Sequence, residues 1–165
     1  MVVFGKHDKP SRFHSYNFKT KMNKQDYAVS ITVNATAQEV FDSINSVSKW
    51  WTKDFEGISE KLNDEFTVSF GETWIKIKIV EFVPNKKIVW DVIDCYKHWL
   101  KDKKEWKGTT ISWEIATERN ATQINFIHFD LVPGKECYNG CEKAWDQYIK
   151  GSLFKLLSKE NGVPS

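Results

Sequence analysis

Between residues 27 and 33 the apolar side chains Tyr27, Val29, Ile31 and Val33 alternate with Ala28, Ser30 and Thr32. That period of two marks a half-buried β-strand. The pattern then changes. Thr36-Ala37-Gln38-Glu39 has the form of a capping box, with Thr36 as N-cap and Glu39 reaching back. Ala37, Val40, Phe41 and Ile44 follow at i, i+3, i+4 and i+7, a helical stripe. After a break at Asn45-Ser46, Val47, Trp50 and Trp51 repeat that spacing. They predict a second short helix ending near Thr52, with Gly57 closing the turn.

From residue 65 the period is two again. Phe66, Val68 and Phe70 share one face; Ile75, Ile77 and Ile79 share the next. Val83-Pro84-Asn85-Lys86 reads as a turn. Ile88, Trp90 and Val92, then Ile111, Trp113 and Ile115, give two further strand faces. Between them, residues 94–108 form a polar, lysine-rich loop with Tyr96, Trp99 and Trp106. After a turn at Arg119-Asn120-Ala121, Ile124, Phe126 and His128 alternate with Asn125, Ile127 and Phe129, so either face of that strand suits burial. Alternation of this kind is the habit of antiparallel sheets with one wet face.

Pro133-Gly134 ends the sheet, and a long helix is predicted from about Glu136 to Lys159. Ala144, Trp145, Tyr148, Ile149, Ser152, Leu153, Leu156 and Leu157 make its apolar stripe. Gly151 costs roughly 1 kcal/mol there relative to Ala, and a small residue suits close approach of another segment. Asn161-Gly162 is the expected stop. The order is strand, two short helices, about six strands, long helix. This is an α+β helix-grip architecture: a strongly curved antiparallel sheet of about six strands wrapped around the C-terminal helix.

Composition adds one unusual figure. Of 165 residues, 15% are aromatic, including eight Trp and eleven Phe. No apolar run approaches the ~20 residues of a membrane span. The length fits one domain, here residues 23–161, with 162–165 a C-terminal tail. Net charge is +2, but Lys6, Lys9, Arg12, Lys19 and Lys21 stand against Asp8 alone within residues 1–22. A basic, disordered extension is therefore expected before a slightly acidic body. Met22 would serve as an alternative start; mass spectrometry of the natural protein showing an N-terminus at Met1 would refute that hypothesis. The extension lacks the apolar core of a secretory signal. Three cysteines, an odd number in a chain too large to need stapling, fit a reducing compartment, so the expected location is the cytoplasm.

Several segments together resemble the START-like (SRPBCC) superfamily. Within it, the chain is similar to small proteins related to the activator of the 90-kDa heat-shock chaperone ATPase. The resemblance rests on Ser30-Ile31-Thr32-Val33-Asn34-Ala35, Val40-Phe41-Asp42-Ser43-Ile44, Trp50-Trp51 and the run from Val80 to Trp90. Thr110–Ile115, Ile124–His128 and the helix around Trp145 complete it, over roughly residues 24–160. It implies a deep cavity between sheet and helix, often holding an apolar molecule. It also admits chaperone activation, or chemistry of the cyclase or dehydratase kind. The eukaryotic activator carries a separate N-terminal docking domain, which residues 1–22 are too short to supply.

The candidate ligand-binding residues are Trp50, Trp51, Phe66, Phe70, Trp90, Trp99, Trp113, Phe126, His128, Trp145 and Tyr148. Most lie on predicted inward faces, where they serve equally as plain core or as pocket wall. Trp99 belongs to the 94–108 loop, which long-loop behaviour makes a lid, with Trp99 or Trp106 folded inward. His128 shares its face with Asp130 if the strand continues, and suits either a core role or orientation of a ligand head. No catalytic residue is assigned, because no triad, elbow or phosphate loop is present. No cofactor is expected. Cys137 and Cys141 with His128 give at most three zinc ligands, so no metal site is expected and two packed or half-exposed thiols are the simpler reading. The lysines of the loop are diluted by Asp94, Asp102 and Glu105, which argues against nucleic acid. The expected function is non-enzymatic binding of a small hydrophobic or aromatic ligand. The alternatives are modulation of a heat-shock chaperone through protein contacts and an enzyme using His128.

Overall fold

The computed structural model describes residues 25–165; the expectations for residues 1–22 and for Met22 lie outside the described residues. The strands are β1 (Tyr27–Val33), β2 (Phe55–Gly57), β3 (Glu65–Phe70), β4 (Thr73–Val83), β5 (Lys87–Tyr96), β6 (Thr110–Glu118) and β7 (Ala121–Phe129). They form one antiparallel sheet in the order β1-β7-β6-β5-β4-β3-β2. The register slips twice where β4 meets β5, at Lys76/Ile77 and at Ile79/Glu81. Such irregularities bend a strand and increase its twist, which helps the sheet curve. The inward faces predicted by alternation are buried: Ile75, Ile77 and Ile79 on β4, Ile88, Trp90 and Val92 on β5, and Ile124, Phe126 and His128 on β7.

Helix α1 (Ala37–Asn45) begins as its sequence requires, with Thr36 Oγ1 accepting from the Glu39 amide at 3.1 Å. The predicted second helix is instead a single 3₁₀ turn, Val47–Lys49. The reason lies in Trp50 and Trp51, which are adjacent and both buried. Successive helical residues point about 100° apart, whereas these two indoles stack on each other at 5.8 Å. Trp50 is further held by its Nε1–H, which donates to the Ile44 carbonyl. The sheet has seven strands rather than about six because β2, three residues long, is too short to show a period.

The C-terminal helix runs over residues 138–157 in three registers: α2 (Tyr138–Asp146), a π-helical stretch (Gln147–Leu153) and α3 (Phe154–Leu157). Its apolar stripe matches the predicted one, since Trp145, Ile149, Ser152, Leu153 and Leu157 are buried. It stops at Ser158, before the expected Asn161-Gly162 stop, and it is Lys159 that takes the left-handed conformation (φ 67°). Gly162 serves packing instead. A Cβ at this position would lie 2.2 Å from the Lys49 carbonyl oxygen, whereas one at Gly151 would meet nothing within 4 Å. The close approach expected at Gly151 is therefore made at Gly162. Residues 162–165 are pinned: the Val163 amide donates to Ser152 Oγ, which donates to the Trp50 carbonyl, and the Ser165 amide donates to the Trp51 carbonyl. The Tyr27 hydroxyl donates to Asp146 and ties β1 to α2. Lys159 pairs with Glu39 of α1.

Candidate functional site

Much of the space between sheet and helix is filled by aromatic rings. Trp51 stacks on Trp90 at 5.9 Å and on Trp50 at 5.8 Å, and meets Trp145 at 4.9 Å. Trp145 stacks in turn on Trp106 at 5.9 Å and tilts against Phe126 at 4.6 Å. Trp113 closes edge-on against Trp50, Trp90 and Phe126. The deep cavity implied by family resemblance is thus largely occupied by packed indoles, whose area and edge-to-face geometry stabilise a core strongly.

A smaller cleft, about 270 Å³, remains between α2, the edge of β4 and the segment joining β5 to β6. That segment, residues 97–109, is tied down at both ends. The Lys97 amide donates to the Lys103 carbonyl, and Lys103 Nζ donates to the carbonyls of His98 and Leu100. Glu105 accepts from the amides of Glu136 and Cys137 at 3.2 and 3.1 Å, and Glu136 accepts from the Lys101 amide at 2.9 Å. A carboxylate on the unpaired amides at a helix start is favourable for charge and hydrogen bonding alike. Trp106 folds inward while Trp99 stands at the mouth, 54% exposed, with its ring edge over Gly140.

Of the candidate residues, the cleft brings together Trp51, Phe70, Trp99, Trp145 and Tyr148. Trp50, Phe66, Trp90, Trp113, Phe126 and His128 sit in the core and do not border it. His128 is fully buried; its Nε2 lies 2.9 Å from Thr109 Oγ1 and its Nδ1 accepts from Trp145. Burial, then the charges of Lys97 and Lys135, push its pKa down to about 3. Asp130 leaves that face: β7 ends at Phe129, and Asp130 is left-handed at φ 69°.

Lys97, Thr73, Ile75, Trp106, Cys141 and Ala144 also line the cleft. Lys97 is the consequential one. Only 5% of it is exposed, its Nζ lies 4.1 Å from the centre of the Trp106 ring and 5.7 Å from that of Trp99, and burial pushes its pKa down to about 8. Nothing in the sequence separates it from the other four lysines of the loop, because the strand ending just before it sets its direction. Cys137 and Cys141 are paired across one turn, with Cα atoms 5.5 Å apart, within the usual span of a disulfide. This replaces the two separate thiols expected from sequence. Among the described residues no cluster of three His, Cys, Asp or Glu is placed to hold a metal, and no helix is long and apolar enough to cross a membrane.

A curved antiparallel sheet closed by one C-terminal helix, with an aromatic cleft beside that helix, defines a helix-grip domain of the START-like class. Residues 34–158 match the family described as Activator of Hsp90 ATPase homolog 1-like protein, and the chain belongs to that family. No curated protein matches the sequence significantly. Among solved structures, the Aha1 dimer from Colwellia psychrerythraea is 21% identical, with TM-score 0.66 over 80% of this chain and 95% of that one. Protein MLL2253 from Mesorhizobium loti is 13% identical, with TM-score 0.64 over 80% and 97%. Protein SSP2350 from Staphylococcus saprophyticus is 14% identical, with TM-score 0.64 over 85% and 97%. At these identities the likeness is one of fold.

Proposed function

We propose that the protein is a non-enzymatic binding module that takes a small aromatic molecule into the cleft between α2 and residues 97–109. The observation that carries this reading is a preformed opening walled by Trp51, Phe70, Trp99, Trp106, Trp145 and Tyr148. Its volume, about 270 Å³, falls just below the roughly 300–1,000 Å³ of drug-sized sites. The occupant is therefore a one- or two-ring molecule rather than a lipid. Affinity would come from apolar burial at roughly 25 cal/mol per Å², less the cost of association. The test is native mass spectrometry of protein purified from its own host, before and after solvent extraction, followed by titration with one- and two-ring aromatics. An extractable added mass, or saturable binding of such a compound, supports the reading. A bare mass together with no binding up to millimolar concentration overturns it.

Membership of the activator family favours a second reading, modulation of a heat-shock chaperone ATPase through protein contacts. This role does not use the cleft. Stimulation of such an ATPase that persists in Ala144→Phe, whose larger side chain fills the opening, would support it. Absence of stimulation by the wild-type protein would count against it. The engaged nitrogens of His128 lend no support to an enzyme that uses this residue as a base.

A further inference from the structure

We infer that the cleft selects an aromatic carboxylate, with Lys97 as the counter-ion of its acid group; this inference rests on the binding reading above. Among the described residues that line the cleft, Lys97 is the one charged group, and no Asp or Glu is among them. Its ammonium lies against the face of Trp106, 4.1 Å from the ring centre, and no hydrogen bond or ion pair joins it to an oxygen among the described residues. Buried ammonium groups ordinarily find a carboxylate or carbonyl partner. Glu105, the carboxylate whose charge acts on it, instead turns its two oxygens to the amides of Glu136 and Cys137. Cation–π attraction covers part of the desolvation, and burial still makes the charged form costly.

The other polar groups fit the same ligand. Thr73 Oγ1 accepts from the His98 amide, and its own proton has no acceptor among the described residues. The Tyr148 hydroxyl pairs with the Ser165 hydroxyl. Besides Lys97 and Thr73, the buried indole N–H of Trp106 has no acceptor among the described residues, so the cleft offers unused donors, one of them cationic, set in apolar walls. Such a site matches a flat apolar body carrying one monovalent oxyanion. A phosphate monoester, close to doubly charged at neutral pH, would leave one negative charge without a counter-ion in an apolar opening.

The test compares 2-naphthoate with its neutral counterpart 2-naphthamide by isothermal titration calorimetry on the full chain. A charge-assisted hydrogen bond in a buried site implies that wild type binds the carboxylate at least about tenfold more tightly. Lys97→Met should abolish that preference, weakening naphthoate about tenfold while leaving the amide unchanged, and Lys97→Arg should keep it. Equal or tighter binding of the amide by wild type overturns the carboxylate inference and leaves the aromatic-binding reading standing. No binding of either probe overturns both. The wild-type comparison is decisive even if Lys97→Met does not fold.

Discussion

Nδ1 of His128 accepts a 3.1 Å hydrogen bond from the indole N–H of Trp145. An indole nitrogen only donates, so Nδ1 holds the lone pair and the imidazole proton is assigned to Nε2. Nε2 then donates to Thr109 Oγ1 at 2.9 Å, and that hydroxyl donates to the Trp106 carbonyl at 2.7 Å. One unbroken chain of donors links α2, β7 and the segment beside the cleft. The ring is neutral, fully buried and satisfied at both nitrogens. It works as a structural joint that holds Trp145 and Trp106 where they wall the cleft.

That joint makes stability depend on pH. His128 takes up a proton near pH 6.5 in the unfolded chain but only near pH 3 in the folded one. Between those values the unfolded state binds more protons, so stability rises with pH and is lost as pH falls from about 6.5 towards 3. At pH 5 the His128 contribution to that loss is about 2 kcal/mol. Urea unfolding at pH 7 and pH 5 should show wild type losing about that much more than His128→Gln. Equal losses would refute the buried neutral imidazole, as would an NMR titration of the wild-type ring with a midpoint above pH 5.

The alternation of Ile75, Ile77 and Ile79, and of Ile124, Phe126 and His128, makes the strands legible in the sequence, because a period of two needs only one buried face. The stripe from Ala144 to Leu157 does the same for the helix. Three features are not legible, for physical reasons. β2 is shorter than one readable period. The π-helical stretch leaves the apolar stripe intact, so composition does not distinguish it from α-helix. Lys97 resembles its loop neighbours until the end of β5 directs it under Trp106. The cleft is half legible: aromatic abundance announces walls, but it does not separate Trp51 and Trp145, which border the opening, from Trp50 and Trp113, which fill the core.

Two glycines near the C-terminal helix should respond to alanine with opposite signs. A methyl at Gly162 would collide with the Lys49 carbonyl oxygen. The backbone must then shift, disturbing the bonds from Val163 to Ser152 and from Ser152 to Trp50. Gly162→Ala should cost about 1–3 kcal/mol. Gly151 lies in the helix with open space around it, so Gly151→Ala should gain up to about 1 kcal/mol. Thermal melts of the two variants against wild type decide this, and a shift of the same sign in both would show the assignment to be mistaken.

Glu105 anchors the cleft segment to the start of the C-terminal helix through the amides of Glu136 and Cys137. Glu105→Ala removes that cap and its favourable charge, at an expected cost of about 1 kcal/mol. The loss should be local. Hydrogen exchange should quicken at the amides of Glu136, Cys137 and Lys101, while the amides of β1 paired with β7 stay protected. Unchanged exchange at residues 136 and 137 would show that the carboxylate is not the clamp.

Trp99 and Trp106 belong to the same segment but should separate cleanly under mutation. Trp106 is 5% exposed, stacks on Trp145 and sets its edge against His128 at 4.5 Å. Trp106→Ala leaves a large void and should cost about 3–5 kcal/mol. Trp99 is half exposed and stands beside Gly140 at the cleft mouth, so Trp99→Ala should cost under about 1 kcal/mol. Its effect should fall on binding instead. Losing roughly 50 Å² of apolar contact with 2-naphthoate weakens affinity about tenfold. Denaturant unfolding and calorimetric titration of the same preparations separate the two quantities. A Trp99→Ala protein that melts as early as Trp106→Ala would make Trp99 part of the core. One that binds naphthoate as tightly as wild type would remove it from the cleft wall.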